Sequence, residues 1–243
     1  MSGGPLLEAT SLAAWYGAAQ VLFDVSLEVR RGEVVALMGR NGAGKSTTLK
    51  ALMGMMAKRA GSIRFLDRDV SRAEPHEVAR LGLGYVPEDR RVFADLTVLE
   101  NLEVGRQPPR IWNDGTNAPL WTVERLFTLF PNLGEMPDRP GGRMSGGEQQ
   151  MLTVARTLMG NPYCVLLDEP SEGVAPLIVE QMAHMIVALK AEGVSILLSE
   201  QNMHFAELVS DRAYVLEKGQ IRWQGTMTAL AEADDVRRAY LSV

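Results

Sequence analysis

EVVALMGRNGAGKSTTLKALM, residues 33–53, decides the fold of this 243-residue chain. Residues 34–38 are an unbroken apolar run of the kind found in a strand buried on both faces. Downstream, Leu49, Leu52, Met53 and Met56 recur at the spacing of one helix face. Between them, Gly39-Arg40-Asn41-Gly42-Ala43-Gly44-Lys45-Ser46 matches G-x-x-x-x-G-K-[ST]. The glycines of such a loop let successive N–H groups curl around phosphate oxygens, and the helix N-terminus adds positive potential. The strand before and the helix behind set it apart from a glycine-rich turn with an incidental lysine. Gly39 to Gly44 and Thr47 are expected to line the phosphates of a nucleotide. Lys45 is expected to reach the β- and γ-phosphates, and Ser46 to ligate Mg²⁺.

Strand, loop and helix make one arm of an α/β sheet. Such a site needs a metal-side carboxylate at the end of another strand. YCVLLDEP, residues 163–170, supplies Asp168 after an apolar run, with Glu169 next to polarise an attacking water. VSILLS, 194–199, reads as a further strand. Met182, Met185, Ile186 and Leu189 mark the helix between, with Pro176 in its first turn. Residues 21–30 alternate as a half-buried strand. Ala213–Leu216 and Ile221–Trp223 flank a Lys218-Gly219 turn and predict a hairpin. A single helix from about Thr226 to Leu241 is expected to close the chain. Residues 106–120, RQPPRIWNDGTNAPL, read as a loop between helical patterns, so about 88–161 is expected to be a mostly helical insertion.

Composition is ordinary for a folded soluble protein: 46% hydrophobic and 23% charged residues, with 25 basic against 30 acidic. That balance gives no support to nucleic-acid binding. The one cysteine, Cys164, fits a reducing compartment and a buried apolar role. The opening MSGGPLLEATS lacks the basic start and apolar core of a secretory signal. No apolar run exceeds five residues, against the ~20 that span a bilayer. A cytoplasmic chain is expected, with any membrane role peripheral.

MSGGEQQ, residues 144–150, puts two glycines where a helix should begin. Ser145 and Glu148 fit a capping box, which leaves Gly146 and Gly147 unexplained. Bare backbone at a helix N-terminus is also what an approaching anion needs. With loop, D-E pair and this segment in that order, the chain resembles an ATP-binding-cassette (ABC) ATPase over nearly all its length. MSGGEQQ is similar to that family's L-S-G-G-Q signature, with Met144 and Glu148 as departures. The resemblance implies one domain, 1–243. It would comprise a P-loop NTPase (RecA-like) α/β core at 1–87 and 162–243, an antiparallel β-subdomain, and the helical signature subdomain. It also implies head-to-tail pairing, in which Ser145, Gly146, Gly147 and Glu148 close over ATP held by the partner's P-loop.

Other positions carry over singly. Tyr16, expected before the first long strand, matches the aromatic that stacks on adenine. Ser171-Glu172-Gly173-Val174 takes the place of the interface loop that follows the D-E pair, without its usual aspartate. Glu88 stands where the family has a glutamine touching Mg²⁺ and water, and Gln201 where it has a switch histidine. A neutral amide can orient water but cannot titrate near neutrality. Glu88 in YVPEDRR, SEGVAP and SEQN resemble the shorter ATPase of branched-chain amino-acid importers, with urea and amide importers as a close second group. The resemblance implies as partners a homologous second ATPase or a second copy, integral membrane permeases docking on Arg90 to Leu102, and indirectly a periplasmic binding protein. It implies a peripheral place on the inner face of the membrane. A DNA-repair relative would need coiled-coil arms, a ribosome-associated one usually two cassettes, and a P-loop GTPase an N-K-x-D motif; the chain has none of these. A degenerate, non-hydrolysing dimerisation module would rest only on Glu88 and Gln201.

Overall fold

The computed structural model describes residues 4–241. In chain order the strands are β1 (Leu7–Tyr16), β2 (Ala19–Val29), β3 (Val34–Met38), β4 (Lys58–Phe65), β5 (Arg68–Asp69), β6 (Leu83–Val86), β7 (Cys164–Asp168), β8 (Ser195–Glu200), β9 (Arg212–Glu217) and β10 (Gln220–Thr226). The helices are α1 (Lys45–Leu52), α2 (Pro75–Leu81), α3 (Val98–Gly105), α4 (Val123–Leu129), α5 (Pro131–Gly134), α6 (Gly146–Leu158), α7 (Pro176–Ala191), α8 (Met203–Val209), α9 (Met227–Glu232) and α10 (Asp234–Tyr240).

A six-stranded sheet in the order β10-β9-β3-β8-β7-β6 forms the centre, parallel except for the edge strand β10. The apolar runs of β3, β7 and β8 are buried on both faces, as continuous apolar strands require. Their side chains alternate between two cores. Val34, Ala36, Met38, Val165 and Leu167 face α3 to α9, whereas Val35, Leu37, Cys164 and Leu166 face α1, α2 and a second sheet. That second sheet is antiparallel, ordered β2-β1-β4-β5. Each fully buried leucine or isoleucine contributes about 1.5–3 kcal/mol, so the two cores hold the site from both sides.

The stretch between β6 and β7 contains α3 to α6, and Asn161 pins its long loop. Its amide donates to Gln107 O at 2.8 Å and its Oδ1 accepts from Trp121 N at 2.8 Å. No helix of the described residues is long and apolar enough to cross a membrane.

Three expectations need correction. The helix carrying Leu49 and Leu52 stops there and does not extend to Met56. Gly54 turns the chain at φ +77, where a Cβ would meet Ala73 O at 2.6 Å, and Met56 is buried beyond the helix. The closing helix is two helices, broken at Ala233 (φ −86, ψ 70), after which Asp234 and Asp235 start α10. Tyr16 does not precede the first long strand but ends one, β1. Ser11 at φ 50 and a register shift between Ala9 and Leu12 interrupt the alternation that would have revealed β1.

Candidate functional site

The loop between β3 and α1 stands at the carboxyl ends of the parallel strands, where α/β sheets bind ligands. Gly44 caps α1 at φ 110, a conformation open to glycine and costly for other residues. Lys45 begins the helix, with its side chain folded back over the loop. Its Nζ donates to Gly39 O at 2.7 Å and Arg40 O at 3.1 Å, and pairs with Glu169 Oε1 at 3.0 Å. The two side chains are 2% and 7% exposed, so the pair is desolvated. The second carboxylate oxygen, Glu169 Oε2, is also buried. A cleft of about 230 Å³ is lined by Val21, Gly42, Gly44, Lys45, Ser46, Thr47 and Glu169.

Asp168 and Glu169 are set by the strand beside them. Parallel pairing puts Ser199 opposite Asp168. The Ser199 hydroxyl donates to Asp168 Oδ1 at 2.7 Å and accepts from the Glu169 amide at 3.0 Å. Tyr85 of β6 donates to Asp168 Oδ2 at 3.0 Å. Burial and the Asp168 charge push the Tyr85 phenol well above its ordinary range, so it stays a donor. Glu169 itself sits at φ 46, which turns its side chain off the strand towards Lys45.

Two further carboxylates flank the pair. Glu172 is pushed up to about 7 by a hydrogen bond with Glu169, by burial and by the charges of Glu169 and Glu88. Glu200, at the end of β8, is raised by burial, and its oxygens accept from the amides of Ser171, Gln201 and Asn202 at 3.1, 3.2 and 3.1 Å. It thus ties the loop after Glu169 to the segment carrying Gln201. Glu88 and Gln201 are themselves exposed.

The signature segment begins α6. Ser145 N donates to Glu148 Oε2 at 2.7 Å, and Ser145 Oγ accepts from Glu148 N at 3.4 Å, completing the capping box. These bonds link the segment to itself and leave Ser145 at the surface. Tyr16, 52% exposed, stands at the β1–β2 turn. The structure brings Lys45, Ser46 and Glu169 together along one cleft, with Asp168 next to Glu169 at the end of β7, Glu88 and Gln201 exposed, and Ser145 to Glu148 on a separate element.

Ser199, Tyr85 and Glu200 do not stand out as site residues in the sequence, and Glu172 stands out only as part of the interface loop after the D-E pair. Only Ser199 left a usable signal, since it ends the strand that neighbours YCVLLD. Gly219 was read merely as a turn residue. Its N–H donates to Ala43 O and its carbonyl accepts from Phe23 N, both at 2.8 Å, so the β9–β10 turn braces the phosphate loop against β2. It has φ +74, and a Cβ there would lie 1.8 Å from Val21 O.

The donors of this loop, the buried lysine and the strand-end carboxylates define a P-loop protein that binds a nucleoside triphosphate. Residues 22–172 match the ABC transporter family, to which the chain belongs. It is 43% identical over 236 residues to the high-affinity branched-chain amino acid transport ATP-binding protein BraG of Pseudomonas aeruginosa, covering 97% of this chain and 99% of that one. It is 35% identical to the lipopolysaccharide export system ATP-binding protein LptB of Escherichia coli, covering 97% and 96%. A solved nucleotide-free ATP-binding cassette from an ABC transporter superposes with TM-score 0.79 at 27% identity, covering 96% and 97%. The chain is the ATP-binding, ATP-hydrolysing subunit of such a transporter.

Proposed function

We propose that this ATPase powers import of branched-chain amino acids or a closely related small solute. The observation that carries this reading is the 43% identity to BraG, extending over 97% of the chain. The lower, 35% identity to LptB makes export the second reading.

ATP binds along the phosphate loop, with Tyr16 against adenine and residues 39–47 around the phosphates. Ser46 and Asp168 are oxygen donors that would hold Mg²⁺, and Glu88 would add a further carboxylate. Among the described residues no three His, Cys, Asp or Glu side chains gather as a metal site by themselves, and Mg²⁺ is usually held by one or two carboxylates plus substrate phosphates. When bound, it neutralises charge on the phosphates. Lys45 turns from Glu169 to the γ-phosphate, which frees Glu169 to accept the proton of the attacking water. Gln201 orients that water through its amide. Ser145, Gly146, Gly147 and Glu148 cover the nucleotide of a partner ATPase, related or identical, arranged head to tail.

Permease helices dock on the surface from Arg90 to Leu102, where Phe93 is 48% and Leu99 37% exposed. The chain then lies on the inner face of the membrane, receives solute-driven signals only through the permeases, and needs no nucleic acid. The test is reconstitution in liposomes with the permeases, a companion ATPase and the solute-binding protein. ATP-driven accumulation of leucine, isoleucine or valine is expected. Uptake of urea or amides alone, or outward lipid transfer, would overturn the assignment.

A further inference from the structure

The two glycines that open α6 have neighbours from their own chain. A Cβ on Gly147 would lie 2.8 Å from Ile178 of α7, and one on Gly146 would lie 2.2 Å from Nη1 of Arg90. The guanidinium of Arg90 therefore lies directly on the Gly146 backbone, a place that any larger residue would take from it. Its other nitrogen, Nη2, donates to Gly173 O at 2.9 Å. Gly173 belongs to the loop that begins at Glu169. Arg90 itself follows Glu88 and is held at φ 46, a left-handed conformation that a non-glycine residue adopts at a cost. The segment around it is fixed independently. Asn101 of α3 bonds Phe93 N and O at 2.9 and 3.0 Å, and Arg156 of α6 bonds Arg91 O. One guanidinium thus spans three pieces of the site: the Glu88 segment, the loop carrying Glu169, and the first residue of the signature helix.

A cation at a helix N-terminus opposes the helix dipole, so capping α6 does not explain why Arg90 is there. The bond to Gly173 O does explain it. A planar fork can rest one edge on a glycine and anchor the other on a carbonyl, as an ammonium cannot. We propose that Arg90 is a positioning residue for hydrolysis. It ties the loop of Glu169 to the N-terminus of α6, so that closure of Ser145–Gly147 over the partner's nucleotide sets the geometry of Glu169 in its own subunit. This rests on the head-to-tail reading above.

The test compares wild type, Arg90→Ala and Arg90→Lys in steady-state ATP hydrolysis, ATP-dependent dimerisation and hydrogen exchange of the 170–174 amides. The expected result for Arg90→Ala is kcat lower by about tenfold or more, the scale of one charge-assisted hydrogen bond. KM for ATP and the melting temperature should stay at wild-type values, while exchange in 170–174 becomes faster. Arg90→Lys, with one donor to offer Gly173 O, should recover part of the loss. An Arg90→Ala protein with wild-type kcat and wild-type exchange beside an active, dimerising wild type overturns this proposal alone. So does a loss of kcat that comes with equal losses in ATP affinity and melting temperature. A wild type that neither dimerises nor hydrolyses overturns the head-to-tail reading, and this proposal with it.

Discussion

Replacing Glu169 with glutamine should tighten ATP binding while abolishing its hydrolysis. The Lys45 ammonium is paired with Glu169 at 3.0 Å, with both side chains almost wholly buried. At an effective dielectric constant of about 20 the gross attraction at that distance is about 5–6 kcal/mol, most of it offset by desolvation of the two charges. The net value is better taken from hydrogen bonds to charged groups, about 1.5–3 kcal/mol, against about 1 kcal/mol for the neutral bond that glutamine can keep. Lys45 gives up this pairing when it turns to the phosphates. Glutamine therefore lowers the cost of binding by about 0.5–2 kcal/mol, which is about a 2- to 30-fold fall in Kd. Removing the carboxylate from beside a polyphosphate acts in the same direction. The assay is calorimetric or fluorescence titration with ATP at protein concentrations too low for dimerisation, so that trapping of the dimer does not enter the Kd. An unchanged or weaker affinity for Glu169→Gln would refute the argument, because it would mean that binding does not break the Lys45–Glu169 pair.

Gly219→Ala should destabilise the protein by at least about 2 kcal/mol in urea titration, since the new methyl meets Val21 O at 1.8 Å on a left-handed backbone, and should weaken ATP binding through the displaced phosphate loop. Ser199→Ala strips one donor from Asp168 and one acceptor from the Glu169 amide, and should cost about 1–3 kcal/mol in stability together with a fall in kcat. The Glu172 carboxyl holds its proton up to about pH 7 in the folded protein, whereas the unfolded chain releases it near 4.5. Folding therefore takes up a proton in that window, and stability should fall as pH rises through it, with a shallow slope because the group is largely exposed. Glu172→Gln should flatten that part of the profile in melting experiments across pH 4.5 to 7.

What could be read from the sequence was local. The phosphate loop, the D-E pair and the Ser145–Glu148 box are each contiguous, and each carries its chemistry within a few residues. The buried strands β3, β7 and β8 announced themselves as short apolar runs. β1 did not, because a bulge at Ser11 puts Ala9 and Leu12 on one face at a spacing of three. The closing helix read as continuous because its break at Ala233 involves neither glycine nor proline. The rest of the site depends on which strands and turns become neighbours. Ser199 bonds Asp168 from 31 residues away and Tyr85 from 83, and Gly219 meets Ala43 across the sheet edge. The glycines at 146 and 147 could be expected to admit a partner's phosphate; that Arg90 already rests on the first of them is visible only in three dimensions.

The most direct test of the whole account is Mg²⁺-dependent ATP hydrolysis by the purified protein, measured beside Glu169→Gln with size-exclusion runs in ATP. Turnover in the wild type, its loss in Glu169→Gln and an ATP-trapped dimer of that variant are the predicted results. A wild type that binds ATP and dimerises yet never turns over, even with permeases and companion ATPase present, would contradict it. The subunit would then be a nucleotide-dependent clamp, with Glu88 and Gln201 marking a site that has lost its chemistry.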